Sequence, residues 1–198
     1  MKKLLFTLAL LISAVSFGQT SEEYFKTGKD KAKAKDYYGS ISDYNKAIKL
    51  DSNNANSYMN RGFSKYSLKD YNGALSDYSK AIELDSNYAL AYFSQGTTKD
   101  GLEDYSGAIR DYNKVIELDP NYTDAYYNRG LSKHNLKDYS GAISDFTKVI
   151  ELDPNNAVAY NNRGWMKYFL GLNGCFDLIK AKELGYNVHP DGMKAVCN

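Results

Sequence analysis

The side chains through which this chain could do chemistry are two histidines, two cysteines and a recurrent set of acids and bases. Catalysis by acyl or phosphoryl transfer needs a nucleophile, a base and an orienting group brought together. A zinc site needs Cys, His or carboxylate ligands at ordered spacing. His134 and His189 belong to no such spacing, and Cys175 and Cys197 both fall near the C-terminus. No glycine-rich phosphate loop is present, because the glycines recur singly and periodically. The residues therefore predict no catalytic group, no metal and no cofactor: this is not an enzyme.

The acids and bases follow a frame. The phrase DYSGAISDFTKVIELDPN, Asp138 to Asn155, has near copies starting at Asp36, Asp70 and Asp104. Successive copies are separated by the same interval, about 34 residues, a period that signals stacked repeats. Gly28, Gly62, Gly96, Gly130 and Gly164 keep step, as do Lys31, Lys65, Lys99, Lys133 and Lys167. Arg61, Arg129 and Arg163 each precede such a lysine by four residues, which puts both on one helix face. The following segment of each unit supplies Asp43, Asp77, Asp111 or Asp145. An Arg/Lys–Asp ladder between helices is expected, a structural device that sets register more than it adds stability.

The elements that carry this ladder are helix pairs. The units run 21–54, 55–88, 89–122, 123–156 and a shorter 157–185. In the fourth, Ala125 to Leu136 reads as one amphipathic helix, Lys137 to Ser140 as a turn, and Gly141 to Leu152 as a second helix. The second helix carries Ala142, Ile143, Phe146, Val149 and Ile150 at helical spacing, and Asp153-Pro154-Asn155-Asn156 ends it. One such pair cannot bury its own apolar face, so the core has to form between neighbours. The last unit has a turn two residues shorter, with Leu172-Asn173-Gly174 replacing the Asp-Tyr phrase. Residues 186–198 form a tail with a short helix from Pro190, suited to sealing the end of the stack.

On these residues the chain resembles the tetratricopeptide repeat (TPR) family, of an exported bacterial type, over residues 21 to about 185. The first-helix aromatic is Tyr24, Tyr58, Tyr92, Tyr126 or Tyr160. The second-helix small residue is Ser40, Ala74, Ala108 or Ala142, followed by Tyr44, Tyr78, Tyr112 or Phe146, and the closing proline appears as Pro120 and Pro154. Arg and Lys stand where the family has Leu and Tyr around the glycine. The resemblance implies an all-α, right-handed solenoid of antiparallel helix pairs, about five repeats with a C-terminal cap over residues 19–185 and 186–198. It also implies a concave groove that binds peptides.

Advancing 100° per residue leaves a stripe on each first helix about a quarter turn from the packing stripe. These are the positions that line the family's groove. They carry Phe25, Met59, Phe63, Tyr66, Phe93, Tyr127, Leu131, Trp165 and Tyr168, beside Asn60, Asn128 and Asn162. Exposed apolar side chains in a contiguous patch mark a binding site, and an Asn amide can both donate to and accept from an extended backbone. The expected partner is a protein or peptide segment with apolar anchors. Two competing readings remain open: the units use these residues for packing, or the C-terminal tail covers them. The family's C-terminal-carboxylate clamp is not expected, because Leu90 and Ser94 stand where its later cations belong.

Composition bounds the partners. With 25 basic and 24 acidic residues, nothing favours nucleic acid or an anionic membrane surface. Lys2 and Lys3 precede the apolar run Leu4 to Val15, and small residues Ser16 and Gly18 follow. This is the pattern of a signal peptide, residues 1–18, cut before Gln19. The alternative is an uncleaved anchor, for which the run is short of the roughly 20 apolar residues of a span. Cleavage removes two lysines and takes the net charge from +1 to −1, leaving a secreted or periplasmic protein without a membrane span. In an oxidising compartment Cys175 and Cys197 read as a disulfide that pins the tail, with two free buried thiols as the alternative. The expected function is a protein-interaction adaptor; a self-associating scaffold is the alternative.

Overall fold

The structure, a computed structural model, describes residues 19–197. The expected signal peptide, residues 1–18, and its cleavage site lie outside the described residues. Eleven helices and no strands are present among the described residues. They are α1 (Ser21–Lys33), α2 (Tyr37–Leu50), α3 (Ala55–Ser67), α4 (Tyr71–Leu84), α5 (Ala89–Gly101), α6 (Tyr105–Leu118), α7 (Thr123–Asn135), α8 (Tyr139–Leu152), α9 (Ala157–Phe169), α10 (Cys175–Glu183) and α11 (Pro190–Cys197). None is long and apolar enough to cross a membrane.

Each repeat is bounded by local chemistry. Asp36, Asp70, Asp104 and Asp138 cap the second helices, their carboxylates accepting from the backbone N–H of Gly39, Gly73, Gly107 and Gly141 at 2.9–3.0 Å. A cap of this kind contributes about 1 kcal/mol. The residue before each cap turns the corner in the left-handed region: Lys35, Lys69, Glu103 and Lys137 have φ of 62–64°. Because Asp138 is the cap, α8 begins at Tyr139, two residues before the expected Gly141. The turn is correspondingly tighter than the expected 137–140. Second helices end at Asp51, Asp85, Asp119 and Asp153, whose carboxylates accept from the N–H two residues on, closing the linker to the next unit.

Each helix packs on the one before and the one after, giving a solenoid of antiparallel pairs. The first helices α1, α3, α5 and α7 also touch one another in sequence, whereas second helices of successive units stay farther apart. The first helices therefore line the inner, concave side. The core runs between the two layers through Tyr44, Tyr78, Tyr112, Phe146 and Leu178, all essentially without exposed surface. Each such side chain gains about 1.5–3 kcal/mol on burial. Their rings need the periodic glycines. A Cβ on Gly28, Gly62 or Gly96 would lie 2.7–2.8 Å from the ring of Tyr44, Tyr78 or Tyr112.

The ladder forms, and it does more than join the helices of one unit. Arg61 grips Asp77 with two nitrogens while Lys65 reaches the same carboxylate at 2.8 Å. Arg129 and Lys133 hold Asp145 in the same way, as Arg163 and Lys167 hold Asp177. The remaining guanidinium nitrogen donates backwards, to Asn45, Asn113 or Thr147 on the second helix of the preceding unit. Each guanidinium also lies over the tyrosine three residues before it, 5.3–5.5 Å from the ring centroid. One arginine thus ties three elements. Unit one uses Lys31 on Asp43, 2.6 Å apart, without an arginine.

The last unit keeps this geometry with a shorter turn. Arg163 and Asp177 are 14 residues apart, where Arg61–Asp77 and Arg129–Asp145 are 16 apart. The two missing residues bring Gly174 against Gly164, where a Cβ on Gly174 would fall 2.1 Å from the Gly164 carbonyl oxygen. Cys175 and Cys197 form a disulfide. It holds the cap helix α11 over α10, with Met193 and Val196 packed on Leu178 and Ala181. Closing a loop with a sequence separation of 22 stabilises by about 3 kcal/mol in the chain-entropy model.

Candidate functional site: the concave face

The concave face is built by first-helix side chains, and the expected groove residues differ in how open they stand. Phe63 and Tyr168 are the most open, 49% and 41% exposed. Phe25, Phe93 and Tyr127 are half-buried, because each ring packs on the core aromatic of its own unit, Tyr44, Tyr112 and Phe146, with centroids 5.8 Å apart. Met59 departs from the expectation. It is 5% exposed and sits in the core with Ala74, Tyr78 and Ala91, so it packs units together rather than lining the groove. Asn60 donates to the Asn56 carbonyl, and Asn162 donates to the Tyr127 hydroxyl at 3.3 Å. Asn128, Leu131 and Tyr66 are half-buried.

Asn60, Phe63, Tyr66, Phe93, Leu131, Asn162 and Trp165 line three separate hollows; Tyr127 borders another with Asn156 and Val158, and Phe25, Met59, Asn128 and Tyr168 line none of these. The first, about 360 Å³, lies between units one and two, lined by Lys29, Lys33, Lys35, Tyr44, Asn60 and Phe63 among others. The second, about 150 Å³, is lined by Phe63, Tyr66, Tyr78, Phe93, Ser94 and Thr97. The third, about 330 Å³, lies between units four and five, with Leu131, His134, Phe146, Asn162, Trp165 and Phe169 among its walls. Residue typing of the first helices misses the floors, which are core aromatics of the second helices. It also misses Phe169, one residue beyond the expected stripe, which stacks on Tyr139 at 5.1 Å.

Trp165 has neighbours of two kinds. It lines the third hollow, and it meets the cap, where a Cβ on Gly192 would lie 2.8 Å from the indole ring. The tail thus covers part of Trp165 and leaves the hollow open.

The charges of this face are unevenly placed. Asp100, half-buried on α5, accepts from Ser132 Oγ at 2.6 Å and from the Tyr112 hydroxyl at 2.7 Å. It has no cation partner among the described residues, and burial pushes its pKa up against those two hydrogen bonds. No group of three or more His, Cys, Asp or Glu side chains is arranged to hold a metal among the described residues.

Sequence profiles place this geometry among known proteins. One described as "TPR repeat" matches residues 24–68 and 102–137. Two described as "Tetratricopeptide repeat" match 55–88 with 123–156, and 146–180. Comparison with curated protein sequences gives no match. Among solved structures, MamA is similar at 28% identity, over 79% of this chain and 93% of that one, with a TM-score of 0.76. YrrB, described as a TPR protein with an unusual peptide-binding site, is similar at 25% identity, over 88% and 89%, with a TM-score of 0.75. MamA from Desulfovibrio magneticus RS-1 shares the fold at 19% identity, over 84% and 96%, with a TM-score of 0.79.

Proposed function

This chain belongs to the tetratricopeptide-repeat family, and on that premise we propose that it is a non-catalytic adaptor that binds a protein segment along its concave face. The observation that carries this reading is the contrast between the two layers. The second-helix core aromatics Tyr44, Tyr78, Tyr112 and Phe146 are wholly buried, while Phe63 and Phe169 on the first helices stay 49% and 47% exposed in the walls of apolar hollows, with Tyr168, 41% exposed, against Phe169. Apolar surface left open in that arrangement gains by accepting a partner's side chains, and an extended or helical segment fits a groove of this kind.

The test is affinity capture with residues 19–198 against a control carrying Phe63→Asp and Tyr168→Asp. Both sites are open enough to accept the change without unfolding, whereas Tyr127 is engaged with Phe146 and Asn162. A partner retained by the first bait and lost by the second supports the groove. A partner held equally by both would end this reading.

Self-association without a separate ligand has one observation on its side: Phe176 and Ile179 of the last unit are 72% and 43% exposed. The ladder speaks against continuing the stack end to end. Ile179 stands where earlier units present Asn45, Ser79, Asn113 or Thr147 to the next unit, and Thr27 stands where later units carry the arginine or Gln95. A mass that rises with concentration would favour the scaffold.

We also place the protein in the envelope or outside the cell. The Lys2-Lys3 and Leu4 to Val15 pattern and a disulfide both support export. N-terminal sequencing of the cellular protein should begin at Gln19; a Met1 start in a cytosolic fraction would end the export reading.

A further inference from the structure

The unit-one end of the concave face differs from the rest in what it lacks. In unit three, the core tyrosine Tyr112 donates its hydroxyl to Asp100 at 2.7 Å. In unit one the corresponding tyrosine is Tyr44, and the residue corresponding to Asp100 is Ala32. Tyr44 is fully buried, its hydroxyl has no hydrogen-bond partner, and it borders the first hollow. A buried hydroxyl without a partner is uncommon and calls for an acceptor. Burial, with a further push from the Asp30 charge, raises its pKa to about 12, so it remains a donor at neutral pH.

Lysines share that hollow. Lys29, Lys33 and Lys35 line the same hollow, and none makes an ion pair among the described residues. Lys31, on the packing side of α1, is committed to Asp43 instead. A hollow bordered by a tyrosine whose hydroxyl has no partner and by three lysines outside any ion pair is complementary to a carboxylate. Phe63 is a wall of this hollow and of the apolar second one.

We propose that the first hollow is a carboxylate subsite: an acidic side chain of the bound segment takes the place that Asp100 fills in unit three, and a neighbouring large apolar side chain enters the second hollow across Phe63. The inference rests on the groove reading above. It specifies the partner as a protein segment in which Asp or Glu stands close to an apolar anchor. Several lysines around one hollow suit an acidic side chain within a run of acids better than a single chain terminus.

The test uses residues 19–198 and fluorescein-labelled dodecapeptides blocked at both ends, carrying Glu-Glu, Gln-Gln or Lys-Lys two residues before a Phe. A fourth carries Gln-Gln with a free C-terminal carboxylate. The Glu-Glu peptide should bind saturably, more weakly as salt rises, and about tenfold more tightly than Gln-Gln. Lys29→Glu with Lys33→Glu should reverse the preference toward Lys-Lys. Tyr44→Phe should weaken Glu-Glu binding severalfold without lowering Tm, because the lost hydroxyl had no partner. Equal binding of Glu-Glu and Gln-Gln, both abolished by Phe63→Asp, would overturn the subsite and leave the groove. Glu-Glu binding untouched by Phe63→Asp would overturn the groove as well. No saturable Glu-Glu binding overturns the subsite, and binding of the free-carboxylate peptide equal to Glu-Glu overturns the choice of a side chain.

Discussion

Units two and four hold their buried aspartates with two cations each, and unit three holds its own with one. Asp77 and Asp145 each meet an arginine and a lysine. Asp111 meets Lys99 alone, at 2.7 Å, because Gln95 occupies the arginine's place. Gln95 preserves the backward link, donating to Ser79 Oγ at 2.8 Å, but it supplies neither a charge nor a cation over Tyr92. The same repeat geometry thus survives with half its charge compensation. The helices are positioned by aromatic burial and glycine contact, and the ladder adds coupling between units.

The largest expected effect separates the two arrangements directly. Asp145→Asn leaves Arg129 and Lys133 facing each other beside a neutral amide, in a site where the carboxylate is 2% exposed. Breaking a buried pair from one side costs about 3 kcal/mol or more. Asp111→Asn neutralises a carboxylate whose pKa burial already raises, beside one lysine that is 22% exposed and able to turn to water, and should cost under about 1 kcal/mol. Denaturant unfolding of both variants checks the ranking, and equal losses would erase the distinction between the units.

A smaller effect of opposite sign comes from restoring the missing cation. Gln95→Arg should grip Asp111, lie over Tyr92 and reach Ser79, as Arg163 reaches Thr147. A gain of about 1 kcal/mol is expected from the added pair and the cation–π contact, read as a Tm roughly 2–4 °C higher. An unchanged or lower Tm would show that Gln95 is the better fit for its surroundings.

What the residues disclose without the structure follows the same division. The frame, the helix pairs and the ladder are legible because each rests on a spacing that recurs, and the cysteine pair because the chain has only two. Asp177 extends the ladder into a shortened unit, where Gly174-Cys175-Phe176-Asp177-Leu178 stands in for Ala-Ile-Ser-Asp-Phe and puts it in the place of Asp145. The start of α8 is misread because Asp138 is a cap, and Asp suits a turn equally well in a bare sequence. Met59 falls on the expected groove because a 100° rule sees one helix; the cover comes from Ala91 of the next unit. The hollows are illegible for a related cause. Their floors belong to second helices, and the unpartnered Tyr44 hydroxyl depends on Ala32 of a different helix.

The smallest effect is a response to acid that differs between units one and three. Burial raises the pKa of Asp111 against the pull of Lys99 and Arg110, with Asp104 adding to the rise, and burial likewise raises that of Asp100. A carboxyl raised on folding contributes stability below its unfolded value, and that contribution is lost as pH climbs through the folded value. Asp43 is the opposite case: burial pushes its pKa up, but Lys31, Thr27 and Lys46 outweigh burial and lower it. Its contribution is present above the ordinary carboxylate range and lost as pH falls through the lowered value. Moving from neutral pH to about 4.5, just above the ordinary carboxylate range, should therefore strengthen α5 and α6 while α1 and α2 hold. Amide exchange, corrected for intrinsic rates, reads both pairs in one sample. In the Gln95→Arg chain the gain should shrink, because the added cation opposes the rise at Asp111 and leaves only Asp100 to respond. An undiminished gain in that variant would assign the response to Asp100 alone, and a loss of protection in α5 and α6 on acidification would contradict the sign for both carboxyls.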